Sequence, residues 1–196
     1  MPAVESEKAL EEDSLSSGQL AFHARDTRIN TIVTAHFDVV WRSLRRLGVP
    51  EASLDDAAQQ VFIVVARKLD TILVGGERPF VLGVAVRVAS DMRRTHSRRR
   101  EVADDAAPVA VDPAPAADEL IDRKRARQLL EHVLTSMPMD LRAAFTMFEL
   151  EEMSVPELAT VLGVPVGTAA SRLRRAREHF HDAVRRLGRS TGGGHE

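Results

Sequence analysis

Thr168, Ser171, Arg172, Arg174, Arg175 and Arg177 fall within ten residues of one another. A guanidinium is a permanently charged planar fork that bonds bidentately to phosphate or to the two acceptors of guanine, and a hydroxyl serves base or phosphate. The chemistry on offer is recognition of a polyanion, not bond making. A second basic block lies upstream: Val84 to Arg100 holds Arg87, Arg93, Arg94, Arg98, Arg99 and Arg100 against Asp91 alone. Between the blocks, Glu101 to Glu119 carries six acids and no base. The formal net charge of -2 therefore hides a segregated pattern. One charge run by itself is as consistent with a solvated helix face. Two basic blocks around an acidic spacer point more firmly to nucleic acid.

Bond-making chemistries find little support. The chain has no cysteine, which removes disulfides, thiolate metal sites and cysteine nucleophiles. His179 and His181 are two apart and so point to different faces of a helix, which does not make a metal pair. Gly75-Gly76 lacks the lysine and hydroxyl of a phosphate loop, and no serine sits in a nucleophile-elbow setting. The expectation is a protein that is not an enzyme and uses no metal or cofactor. No apolar run approaches the ~20 residues a bilayer requires, and the start MPAVESEKALEED does not read as a signal peptide. Those features predict a cytoplasmic protein without membrane insertion.

The elements that must position these arginines read as helices throughout. Ile32, Val33, Phe37, Val40, Trp41, Leu44 and Leu47 recur at spacings of three and four, one face of a helix ending at Gly48 and Pro50. Ser53 with Asp56 predicts an approximate capping box for a helix whose apolar side is Ala57, Ala58, Val61, Phe62, Val65 and Leu69. Asp70 to Phe80, with Gly75, Gly76 and Pro79, reads as a loop. The apolar period then resumes from Phe80 through Leu82, Val84, Ala85, Val88 and Met92 and runs into the first arginine block.

Past the acidic spacer, Leu129, Leu130, Val133 and Leu134 form one stripe, and Leu141, Ala144, Phe145 and Phe148 the next. Ser154-Val155-Pro156-Glu157 is a capping box with proline in the first turn. Gly163 supplies a left-handed stop, and a second helix starts near Gly167. On it, Ala169, Leu173, Ala176 and Phe180 share one face, leaving Thr168, Ser171, Arg172 and Arg175 opposite. The spacing is that of a helix-turn-helix. The predicted architecture is all-α: a tail over 1–20, a helical domain over 21–100, a flexible acidic linker over 101–119, a helix-turn-helix domain over 120–187, and a tail over 188–196. There is no internal repeat.

The run from Ser136 to Glu178, SMPMDLRAAFTMFELEEMSVPELATVLGVPVGTAASRLRRARE, resembles region four of bacterial sigma factors, particularly the small extracytoplasmic-function (ECF) class. SLDDAAQQVFIVVARKL and FVLGVAVRVASDMRRTHSRRR resemble consecutive helices of the family's region two. The resemblance covers about Phe37 to Leu187 and implies a dissociable promoter-specificity subunit of RNA polymerase. By that resemblance, Ser171, Arg172 and Arg175 contact bases of the minus-thirty-five element, with Thr168, Arg174 and Arg177 nearer phosphate. Asp56, Gln59 and Gln60 match the surface that docks on the clamp coiled coil of the largest catalytic polymerase subunit. The loop from Asp70 to Pro79 matches one that captures a flipped base of the minus-ten element, and Arg87, Asp91, Arg93, Arg94 and His96 line the unpaired strand. The implied partners are core RNA polymerase, through clamp and flap regions, promoter DNA, and an anti-sigma factor.

The sequence departs from the family pattern at several of these positions. Gln60 replaces a common glutamate, Ala57 and Ala58 replace bulky aliphatics, Ala170 stands where a basic residue is frequent, Phe80 replaces a tryptophan, and Arg87 replaces an asparagine. Two other classes fit part of the pattern: a conventional helix-turn-helix regulator, and a sigma-like adaptor that binds polymerase without opening promoters. The first requires a sensor or dimerisation domain, for which the first half shows no strand-helix alternation.

Overall fold

The computed structural model describes the backbone over 3–102 and 118–191, and side chains over 22–95 and 126–187. The acidic stretch between those spans, the His96 side chain and the last residues of both ends lie outside the described residues. Helices account for nearly all the described backbone: α1 (Ala3–Arg46), α2 (Leu54–Arg67), α3 (Glu77–Val102), α4 (Asp118–Ser136), α5 (Met139–Phe145), α6 (Val155–Leu162) and α7 (Val166–Thr191). A π-helical turn, Thr146–Leu150, continues α5. Helical backbone thus begins at Ala3, inside the stretch whose polarity suggested a tail. The alanine, glutamate and leucine content of that stretch favours helix whether or not it is packed.

Helices α1, α2 and α3 form the first module. Their stripes meet in a core of Val40, Leu44, Leu47, Leu54, Ala57, Ala58, Val61, Val65, Leu82 and Ala85, all buried. Ala57 and Ala58 are wholly enclosed, so the small residues at these positions belong to the packing. The Ser53 side chain makes no capping hydrogen bond; Ser53 instead closes the short turn Glu51–Ser53 that leads into α2. The capping box expected there does not form, because the backbone turn already supplies the helix start.

Helices α4 to α7 form the second module. Val133, Leu134, Met137, Leu141, Phe145, Ala176 and Ala183 make one cluster, in which the Phe145 and Phe180 rings stack at 4.8 Å. The Ser154 box does form: the Ser154 hydroxyl accepts from the Glu157 N–H, and the Glu157 carboxylate accepts from the Ser154 N–H at 2.8 Å. Gly163, at φ 63°, ends α6 in the left-handed conformation that costs glycine little.

The two modules are not separate bodies. The core of the first continues through Ala143, Ala144, Met147, Met153, Leu158, Val161 and Leu173 of the second. Helix α6 lies on α3, close enough that a Cβ added at Gly83 would meet the Val161 carbonyl oxygen at 3.5 Å.

Candidate polymerase and nucleic-acid interfaces

On α7 the six sequence-selected residues divide between two faces. Ala169, Leu173 and Ala176 are buried and fix the rotation of the helix. Thr168, Ser171, Arg172 and Arg175 follow one another at three- and four-residue spacing on the opposite side. Ser171 and Arg175 are exposed there, while Thr168 and Arg172 are half-buried. The Ser171 hydroxyl donates to the Thr168 carbonyl at 2.9 Å, Arg172 lies 3.7 Å from the Asp140 carboxylate, and Arg175 has no ion-pair partner among the described residues.

Arg174 and Arg177 turn onto an adjoining face, where both are occupied. Arg174 donates to Glu178 one turn on at 2.6 Å, and Arg177 donates to Glu149 at 2.5 Å with its guanidinium 5.0 Å from the Phe148 ring centroid. Ala170, the missing basic residue, lines the same groove as these two arginines. Further along that groove Arg185 pairs with Asp182, and this hydrogen bond, more than any other influence, holds the Asp182 carboxyl below its usual range. Upstream, the Ser154 hydroxyl and then its backbone N–H hold the Glu157 carboxyl low. The Glu157 charge therefore belongs to the cap at neutral pH, at the positive end of α6.

Arg87, Asp91 and Arg94 are exposed on α3, with Arg94 donating to Asp91 at 2.7 Å, while Arg93 is half-buried beside the Met139 sulfur at 3.9 Å. These four share a groove of about 710 Å³ with Asp140 and Arg172. The structure thus brings residues selected for two different promoter elements to one cleft between the modules.

Asp56, Gln59 and Gln60 are all exposed on α2 but face two ways. Asp56 and Gln60 look toward α3, across a groove of about 440 Å³ shared with Arg87 and Asp91. Gln59 looks toward α1, where Val33, Phe37, Phe62 and Ile63 line a second, mostly apolar groove. Phe37 and Ile63 remain 41% and 38% exposed, and the Phe37 and Phe62 rings stack at 6.2 Å. Periodicity had assigned Phe37 and Phe62 to the core; the apolar stripe is wider than the contact it makes, and its edge stays outside. Trp41 marks the rim, its indole N–H donating to Asp55 at 3.1 Å.

The loop after α2 is held at its base and bare at its tip. Arg25 donates to the Asp70 carboxylate at 2.6 Å and to the Ala66 carbonyl at 2.7 Å, and Arg28 donates to the Leu69 and Ile72 carbonyls. Arg25 thus binds a carbonyl of the last turn of α2, and Arg28 binds carbonyls of the short turn Leu69–Thr71 and of Ile72 just after it. Leu73 and Val74, at the tip, are 81% and 91% exposed. Glu77 opens α3 with its carboxyl held below the usual range, first by its own backbone N–H. Neither Arg25 nor Arg28 was legible as a loop clamp, since their partners lie more than forty residues away.

Among the described residues no group of histidines and carboxylates is arranged to hold a metal ion, and no helix is long and apolar enough to cross a membrane.

Comparison with known proteins fits this geometry. Residues 127–180 match the family model "Sigma-70, region 4". Over 150 residues, 71% of this chain, the sequence is 32% identical to the ECF RNA polymerase sigma-E factor of Escherichia coli K12, of which the match covers 78%. The chain belongs to the ECF RNA polymerase sigma factors. A second member, ECF sigma factor SigE of Mycolicibacterium smegmatis, is 30% identical over 155 residues; the match spans 77% of this chain and 59% of that relative. Two solved structures share the sigma-factor fold. CnrH in complex with the cytosolic domain of CnrY gives a TM-score of 0.59 at 21% identity, covering 81% of this chain and 88% of that one. RpoE in complex with the anti-sigma factor NepR, from Bartonella quintana, gives 0.64 at 18% identity, covering 80% and 96%. ECF sigma factors are transcription initiation factors and not enzymes.

Proposed function

We infer that this sigma factor binds core RNA polymerase and directs it to promoters of two-part sequence. The observation that supports this best is the outer face of α7. Thr168, Ser171, Arg172 and Arg175 stand in a row on a helix whose start is fixed by a capped neighbour and a glycine turn, the arrangement of a helix-turn-helix reader in the major groove. Arg172 and Arg175 are the base-reading candidates for the minus-thirty-five element, with Ser171 on base or phosphate.

The α3 arginines act on the minus-ten element. Opening a duplex costs a few kcal/mol per unstacked step, and the cost falls when an extruded base finds a pocket and cations hold the strand. The loop tip with Leu73 and Val74 supplies apolar surface for such a base, while Arg87, Arg93 and Arg94 supply cations. The half-exposed groove of Phe37, Phe62 and Ile63, bordered by Gln59, is the polymerase-docking platform: apolar at its centre and polar at its edge, as stable interfaces are. Asp56 and Gln60 extend it toward α3. An anti-sigma partner is part of the proposal, on the likeness to a fold solved with NepR.

Run-off transcription with bacterial core polymerase, this protein and a pool of promoter fragments tests the reading. Discrete new transcripts that vanish in the Arg172→Ala, Arg175→Ala double variant support it. Binding to core without transcripts supports an adaptor, and binding to DNA without core supports a conventional regulator.

A further inference from the structure

Five guanidinium groups gather at the cleft between α3 and the second module, and only two carboxylates answer them. Arg87, Arg93, Arg94 and Arg172 line the cleft together with Asp91 and Asp140. Arg142, the fifth, stands on the same short helix as the lining residues Met139 and Ala143. It adjoins the cleft through Arg93: both guanidinium groups converge on Gly48, where at φ 89° a Cβ would lie 2.1 Å from Arg142 and 3.5 Å from Arg93. Arg94 is taken by Asp91 at 2.7 Å, and Arg172 is held loosely by Asp140 at 3.7 Å. Arg87 and Arg93 have no ion-pair partner among the described residues, and Arg93 reaches only the Met139 sulfur at 3.9 Å.

Arg142 is the sharpest anomaly. It is 2% exposed, donates once, to the Leu47 carbonyl at 3.2 Å, and leaves Nε and Nη2 without partners. Burial first, and Arg93 second, lower its pKa to about 10, so it is still a cation at neutral pH. Elsewhere between the modules a buried charge is fully answered. Glu151, 4% exposed, accepts from Arg46 at 2.7 Å and from the Ser43 hydroxyl at 3.2 Å, while Arg78 donates to its backbone carbonyl at 2.7 Å. Buried charges are tolerated when they are supplied in this way. Arg87, Arg93 and Arg142 together leave an excess of positive charge at one place that no carboxylate of the described chain offsets.

The space beside them has the size of a ligand site. Its volume is about 710 Å³, within the range of small-molecule pockets. One side is cationic, and the other is apolar, with Val86, Val161 and Leu162. Guanidinium forks bond phosphate oxygens bidentately, and a phosphate chain concentrates several negative charges in a short length. A small polycarboxylate would answer the charge but leave the apolar side bare. A flat base joined to a phosphate chain answers both.

We propose that this cleft binds a nucleoside polyphosphate, with its phosphates on Arg87 and Arg93 beside Arg142 and its base against Val161 and Leu162. Arg142 needs no direct contact, because a charge shielded from water acts more strongly on its neighbours than a surface charge does. The ligand touches both modules at once. Arg87 and Arg93 also hold the minus-ten strand in the function above, so a bound nucleotide competes with promoter opening.

Calorimetric titration of the full chain with ATP and with GTP, in the absence of DNA and polymerase, tests the site. One nucleotide should bind per chain with a Kd below about 0.1 mM. At a concentration about a hundredfold above that Kd, it should raise the melting temperature by about 5–10 °C. Arg87→Gln with Arg93→Gln should weaken binding by about tenfold or more. Arg142→Met should weaken it about threefold with the fold intact, since an apolar side chain replaces an unpaired buried cation. Removing two exposed arginines elsewhere, Arg67→Ala with Arg185→Ala, should leave affinity unchanged. Tripolyphosphate, which offers nothing to the apolar side, should bind about tenfold more weakly than the nucleotides. The proposal is overturned by absence of binding at about 1 mM nucleotide, by affinity unmoved in both cleft variants, by an equal loss in the Arg67, Arg185 control, or by tripolyphosphate binding as tightly as the nucleotides. Because the titration needs neither promoter nor polymerase, its failure leaves the promoter-reading function standing, and failed transcription leaves the nucleotide site standing.

Discussion

Helix α7 carries arginines on two adjoining faces and holds them in contrasting ways. Arg172 and Arg175 share a side with two hydroxyls; the first has only a loose carboxylate at 3.7 Å and the second none among the described residues. Arg174 and Arg177 are gripped at 2.6 and 2.5 Å by Glu178 and Glu149. A count of positive charge treats the four alike, but a guanidinium already occupied must give up a carboxylate before it contacts phosphate. Availability, more than number, separates a reading face from a solvated one.

The sharpest way to break that contrast is to remove the available pair. Arg172→Ala with Arg175→Ala should lower promoter-specific transcription by about a hundredfold or more, since each good base contact is worth about 1–3 kcal/mol. Run-off assays on a mapped promoter check this. A smaller effect separates the faces through salt. Arg175→Ala removes an unpaired cation along with its base contact and should reduce the slope of log affinity against log salt by up to about one, whereas Arg177→Ala, whose charge Glu149 already offsets, should leave the slope nearly unchanged. Titrations of holoenzyme binding at several salt concentrations measure both.

Smaller still is the converse change. Glu149→Ala releases Arg177 and should raise DNA affinity about threefold, within the range of a single exposed charge pair; a fall would mean that the pair positions the helix. The smallest expected effect lies in the support of α6. Ser154→Ala removes an N-cap worth about 1 kcal/mol and should lower the melting temperature by about 3 °C. Glu157 titrates below its ordinary value when folded, so its part of the cap is fully present above the ordinary glutamate pKa and lost as pH falls through the depressed one. Melts of wild type and Glu157→Gln should therefore converge in acid.

What the sequence made legible here was what neighbours along the chain decide. The Ser154 cap and the Gly163 stop depend on residues within a few positions, and the rotation of α7 follows from its buried alanines and Leu173. The division of Asp56 and Gln60 from Gln59 follows from helical period alone, although resemblance grouped them as one surface. Ser53 looked like a cap because its residue type was right, but a preceding backbone turn took over its role. The closure of the modules left no local trace. Glu151 meets Arg46 across 105 residues, and Arg142 meets the Leu47 carbonyl across 95, with an acidic spacer between that suggested separation. A buried arginine without a counterion also contradicts what arginine usually does. Nothing in its neighbours could announce it.

The continuity of the core from α3 into α6 has a consequence during synthesis. Roughly seventy residues separate Ala89 from Leu158, and at about 5–20 residues per second the ribosome needs between about 3 and 14 seconds to make them. For that interval the side of α3 around Gly83 and Val86 emerges with no partner to cover it. A nascent chain in this state presents sticky surface to chaperones and proteases, and a message truncated in the second half yields a product that cannot hide it. Quality control should therefore remove incomplete copies before they compete for polymerase.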